Sequence, residues 1–142
     1  MSYHSWTIDG FGVSEDDVYA GITVDSVANL LKLSPKVEEY FRGYAGDEFT
    51  MDDVDNYEGD YEYGVMAILA DVMKDCEGLY FVCCSDYDGT RYVLYEPSYP
   101  WYMKENDLHL TEDNMKTIFR KYTYILSGRM VEPNYYAVEN GG

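Results

Sequence analysis

A chain of 142 residues fits a single domain, residues 1–142, and is long enough to bury a core. Its 46% hydrophobic and 26% charged residues are ordinary for a globular protein and unlike a disordered acidic tail. The departure is in sign: 27 Asp plus Glu against 10 Lys plus Arg leave −17 at pH 7, which disfavours nucleic acid and anionic membrane as partners and favours a basic surface.

Along the chain, Tyr3 to Asp9 alternates as a short strand does, and Asp9-Gly10-Phe11-Gly12 reads as the turn after it. Thr23 caps a short helix with Val24, Val27, Ala28 and Leu31 on one face. Ser34-Pro35 is an N-cap followed by proline at the first helical position, with Val37, Tyr40 and Phe41 expected inward and Gly43 and Gly46 as stops. Thr50 opens another short helix, flanked by a Phe49–Val54 hydrophobic staple and carrying Asp53 three residues after the cap. That leaves Asp52, Asp53 and Asp55 pointing mainly outward.

Asp60 is placed to cap a helix over Tyr61 to Cys76, with Tyr61, Val65, Ile68, Leu69, Val72 and Cys76 on one stripe. Leu79 to Ser85 is apolar on both faces, as an interior strand is, and Asp86-Tyr87-Asp88-Gly89 turns it back into Arg91 to Glu96. A proline-bounded aromatic stretch, Pro97 to Trp101, follows. Thr111 caps the last long helix, whose inner stripe is Met115, Ile118, Phe119, Tyr122, Ile125 and Leu126, and Gly128 stops it. Asn134 to Val138 suits a final strand before a flexible Glu139 to Gly142 tail. Helices and strands do not alternate as βαβ units, so the expected fold is α+β: a small antiparallel sheet of three or four strands against several helices on one face.

No motif for catalysis or metal binding emerges. In an EF-hand frame, Asp86-Tyr87-Asp88-Gly89 places its glycine two positions early, and a loop starting at Asp53 has Glu58 at the glycine position. His4 and His109 are the only histidines, without a second ligand at helical or strand spacing. Cys76, Cys83 and Cys84 leave an odd count with no C-x-x-C pair, and adjacent Cys83 and Cys84 on a strand point to opposite faces. Free, buried cysteines in a reducing, cytoplasmic setting are expected, as the first residues lack a signal peptide's basic and apolar regions and no apolar run reaches membrane-span length. The expectation is a non-enzymatic protein without cofactor or metal; the enzyme alternative centres on Cys84 or His109.

The charge is regional. No Lys or Arg stands between Arg42 and Lys74, whereas Asp47, Glu48, Asp52, Asp53, Asp55, Glu58, Asp60, Glu62 and Asp71 do, with Tyr44, Tyr57, Tyr61 and Tyr63 among them. Carboxylates on neighbouring helical turns lie roughly 5–6 Å apart, a separation comparable to that between phosphates, so the block can either compete for a basic nucleic-acid groove or serve as a solvated helix face. The second candidate surface is Tyr95 to Tyr102, where Tyr99 and Trp101 can anchor a protein partner or fold back onto the sheet.

Three stretches carry a resemblance: Tyr3-His4-Ser5-Trp6-Thr7-Ile8-Asp9-Gly10-Phe11-Gly12, the Tyr-x-Pro-Ser-Tyr-Pro-Trp run from Tyr95 to Trp101, and Val138-Glu139-Asn140-Gly141-Gly142. Together they resemble small acidic proteins of phages and mobile elements of Gram-positive gut bacteria. That resemblance implies an anti-CRISPR or antirestriction function, several such proteins being DNA mimics, with a Cas nuclease or restriction enzyme as the basic nucleic-acid-binding partner. It carries no functional residue onto this chain.

Overall fold

The computed structural model describes residues 5–57, 64–95 and 112–141. Strand β1 (Ser5–Ser14) runs into a short helix α1 (Glu15–Val18) and a 3-10 turn over Tyr19–Gly21, then α2 (Val24–Leu31), α3 (Pro35–Ala45), α4 (Met51–Asp55) and α5 (Gly64–Glu77). The hairpin β2 (Phe81–Ser85) and β3 (Arg91–Tyr95) follows, then α6 (Glu112–Ser127) and β4 (Asn134–Gly141). The sheet has four antiparallel strands in the order β2-β3-β1-β4. The α+β expectation holds, with the helices on one sheet face.

Local signals set the helix starts. Thr23 and Ser26 cap α2 reciprocally, Ser26 Oγ accepting from Thr23 N–H at 2.8 Å and Thr23 Oγ1 from Ser26 N–H at 3.1 Å. Ser34 Oγ accepts from Val37 N–H at 3.4 Å ahead of Pro35 at the start of α3. Gly46 (φ 85) ends that helix and Gly128 (φ 74) ends α6, both in a conformation that L side chains rarely adopt. Gly43, expected as a stop, lies inside α3.

The core joins both layers. Phe11 and Val13 of β1, Phe81 of β2 and Val93 of β3 share one sheet face and pack against Ile68, Leu69 and Val72 of α5 and against Met115, Phe119, Tyr122 and Leu126 of α6. Phe119 meets Phe81 edge-on at 5.5 Å between ring centres. Helix α5 is buried all round through its first two turns, Gly64 to Ala70. It is thus the central helix, and its amphipathic stripe carries less information than the sequence pattern implies. Cys76, placed on that stripe by spacing, is exposed, because α5 emerges from the core near its end.

Four other expectations change. Asp9-Gly10-Phe11-Gly12 is no turn but the middle of β1, which pairs through Phe11↔Tyr95 and Gly12↔Leu94 on one side and Gly10↔Tyr136 on the other. The glycines serve close strand approach rather than chain reversal. β2, read as an interior strand, lies at the sheet edge; its two-sided apolarity arises because Cys84 and Val82 join Leu94 and Val138 on the face away from the helices. Tyr40 is 59% exposed rather than inward. The tail is strand through Gly141, held by pairing of Thr7↔Glu139 and Ser5↔Gly141.

No helix among the described residues is long and apolar enough to cross a membrane.

Candidate partner-binding face

The acidic block divides into carboxylates with structural duties and carboxylates without them. Asp47 and Glu48 follow the end of α3 at Gly46, and both are exposed. Asp52 and Asp55 are exposed on α4, where buried Val54 and Phe49 close the staple and turn the intervening positions outward. Asp53 is different. Its Oδ2 accepts from Thr50 N–H at 2.9 Å and from Thr50 Oγ1 at 3.3 Å, so this carboxylate caps α4. Asp71 is also engaged, accepting from Tyr57 Oη at 2.7 Å and lying 3.4 Å from Lys74 Nζ.

Nearby positive charge does not neutralise the outward acids. The Arg42 guanidinium donates to the main-chain oxygen of Asp47 at 2.7 Å, lies 3.7 Å from the Glu38 carboxylate and stacks 5.5 Å from the Phe49 ring centre. Arg91 is drawn to Glu15, donating from Nε at 3.0 Å. Among the described residues no ion pair reaches the carboxylates of Asp47, Glu48, Asp52 or Asp55. Like charges standing together raise the local potential and favour a cationic counter-surface.

Beneath these acids lies an aromatic cluster. Phe41 packs edge-on against Phe49 at 4.9 Å and against Tyr44 at 5.4 Å, and Tyr40 bridges Tyr44 at 6.4 Å and Tyr57 at 6.0 Å. Tyr57 is 2% exposed and belongs to the core, whereas Tyr40 and Tyr44 present 59% and 48% of their surfaces. Tyr44 Oη donates to the Asp53 main-chain oxygen at 3.2 Å, which fixes α3 against α4 and sets the ring beside the acids. Sequence reasoning missed Tyr40 as a surface residue. In an eleven-residue helix that buries Val37 and Phe41, the inner stripe is narrow and Tyr40 falls at its border.

The structure therefore brings together Asp47, Glu48, Asp52, Asp53 and Asp55 on the α3–α4 side of the molecule. Glu58, Asp60, Glu62, Tyr61 and Tyr63 lie outside the described residues, as do the Tyr99–Trp101 loop, His4 and His109. For the enzyme alternative, Cys84 is buried against Leu94 and Val138. Burial, reinforced by the neighbouring Cys84, pushes the Cys83 thiol well up. The Asp86 carboxylate of the calcium candidate is consumed by its own turn: Oδ1 accepts from Asp88 N–H at 2.9 Å and Thr90 N–H at 3.0 Å, and Oδ2 from Tyr92 Oη at 3.0 Å. Comparison of the chain with protein-family models, with curated proteins and with solved structures returns no match.

Proposed function

We propose that this protein is a non-enzymatic inhibitor that acts in the cytoplasm by occupying a basic nucleic-acid-binding surface, the partner being a defence nuclease of the Cas or restriction type. The observation that carries the reading is the set of exposed carboxylates of Asp47, Glu48, Asp52 and Asp55, which no cation pairs with among the described residues. Desolvating them against lysines and arginines replaces repulsion within the face by attraction across an interface. Exposed Tyr40 and Tyr44 add contact area whose rings are already ordered by their neighbours, so less side-chain freedom is lost on binding.

Complementary charge makes such association fast and salt-sensitive. The test is a pull-down from lysate of a Gram-positive gut bacterium at low salt, with the bound proteins identified. A nuclease with a basic groove is expected, eluting by about half-molar salt, where the screening length falls to a few ångströms. Its capture is expected to be lost with Asp47→Asn, Glu48→Gln, Asp52→Asn and Asp55→Asn combined. A set of bound proteins without any nucleic-acid-binding member, or capture unchanged by salt and by the fourfold variant, would sink the reading.

A further inference from the structure

The α3–α5 groove opens beside the acidic face, with a volume of about 620 Å³, and Tyr40 belongs to both. One wall is α3, with Lys36, Val37 and Tyr40; the other is α5, with Asp71, Lys74 and Asp75, and Tyr57 lies at the base. The two carboxylates of α5 are not equivalent. Asp71 has its charge met by Lys74 at 3.4 Å and receives the Tyr57 hydroxyl at 2.7 Å. Lys74 is further held with its ammonium 5.7 Å from the Tyr80 ring centre. Asp75 receives only a neutral donor among the described residues, the Ser34 hydroxyl at 2.6 Å on Oδ2, and no cation pairs with it.

We infer that this groove is the anchor point of the interface and takes an arginine side chain of the basic partner, its guanidinium on the Tyr40 ring and its N–H groups toward Asp75. This rests on the proposed function and specifies where the tightest contact of that interface lies. Three properties of the groove select arginine. An exposed tyrosine face attracts a cation through its quadrupole, and guanidinium stacks flat on it because it is planar and weakly hydrated. A carboxylate without a compensating cation offers the acceptors that a planar fork of donors uses in pairs. A recess next to a flat charged face is where interfaces place their arginine and aromatic anchors, since water is excluded there. Lysine gains less at such a site, because its compact ammonium holds its water more strongly and cannot bond in a fork. Lys36, on the α3 wall, opposes an incoming cation and sets a limit on the affinity.

The probes are blocked hexa-arginine and hexalysine peptides, titrated into the full chain by calorimetry at low salt. Hexa-arginine is expected to bind at least about fivefold more tightly than hexalysine, a margin consistent with one stacked, forked contact. Tyr40→Ala and Asp75→Asn, both surface changes, are expected to reduce that preference below twofold. Asp52→Asn with Asp55→Asn is expected to weaken both peptides by a similar factor and leave the preference in place. Lys36→Ala is expected to strengthen hexa-arginine binding. If the preference persists in Tyr40→Ala and Asp75→Asn while the acidic-face variant weakens both peptides, the groove assignment is wrong and the acidic-face reading stands. Unchanged or weaker hexa-arginine binding in Lys36→Ala would mean that no guanidinium sits beside Lys36 in the groove, and would overturn the inference. No binding of either peptide to the parent chain would remove both readings.

Discussion

A Cβ built on Gly12 would sit 1.9 Å from the main-chain oxygen of Val93, inside any permitted contact distance. Gly12 lies in β1 opposite Leu94, and the Val93 carbonyl comes from the adjacent strand β3. The missing side chain is what lets the two central strands of the sheet approach this closely while they pair. Backbone, unlike the tip of a flexible side chain, cannot step aside without breaking the ladder.

Gly12→Ala is therefore expected to destabilise the fold by about 3 kcal/mol, at the upper end of what overpacking costs, read as a lowered urea midpoint. Gly43→Ala is the opposite case. Gly43 is exposed inside α3, a Cβ added to it would meet nothing within 4 Å, and its φ is not positive. Replacement by alanine there is expected to stabilise by about 0.5–1 kcal/mol through helix propensity. Similar midpoints for the two variants would contradict the close-approach account.

Among the aspartates of α4, one is structural. Removing the Asp53 carboxylate frees the Thr50 N–H that it accepts from at 2.9 Å, so Asp53→Ala is expected to cost about 1 kcal/mol, the usual size of a lost cap. Asp52→Asn and Asp55→Asn relieve repulsion without touching a hydrogen bond and are expected to stay within about 0.5 kcal/mol of the parent. Thermal melts of the three single variants distinguish the two groups. Equal melting temperatures would show that the cap contributes nothing.

Alkaline pH is expected to destabilise the protein through its tyrosine hydroxyls, over an interval in which lysines also begin to lose their charge. Burial, followed by the hydrogen bond to Asp86, pushes the Tyr92 hydroxyl up to about 12. Burial and the short hydrogen bond to Glu77 push Tyr122 up, and burial with the nearby Asp17 carboxylate does the same for Tyr136. A folded-state value above the unfolded one near 10 means that the native chain holds these protons more firmly. Their contribution is complete below about pH 10 and is lost as pH rises from there through the folded values. Urea midpoints measured at pH 9 and pH 11 are expected to fall, and Tyr92→Phe is expected to lessen the drop. An unchanged midpoint across that interval would refute the linkage.

Much of the fold is legible in the sequence because its signals are local. Thr23, Ser34-Pro35 and Thr50 with Asp53 declare helix starts through groups three residues apart, and Gly46 and Gly128 declare ends by a backbone conformation that one residue supplies. The stripe of α6 follows from 3.6-residue periodicity, and the β2–β3 hairpin from the Asp86–Gly89 turn. The regional acid excess is equally visible, being a count of residues between Arg42 and Lys74.

Other features needed the tertiary structure. Strand order is a long-range property: nothing near Leu79 to Ser85 tells that β1, from the start of the chain, enters between β3 and β4 and leaves β2 at the edge. Gly10 and Gly12 look the same in a turn and in a closely approached strand, and the partner strand decides between them. The α1 helix and the 3-10 turn after it carry too short a pattern to be read in advance. For the candidate face, sequence located the carboxylates, but only packing separated Asp53 and Asp71, which serve the fold, from Asp47, Glu48, Asp52 and Asp55, which do not. Charge is written residue by residue; whether a charge is spent on a neighbour depends on what folding brings within hydrogen-bond distance.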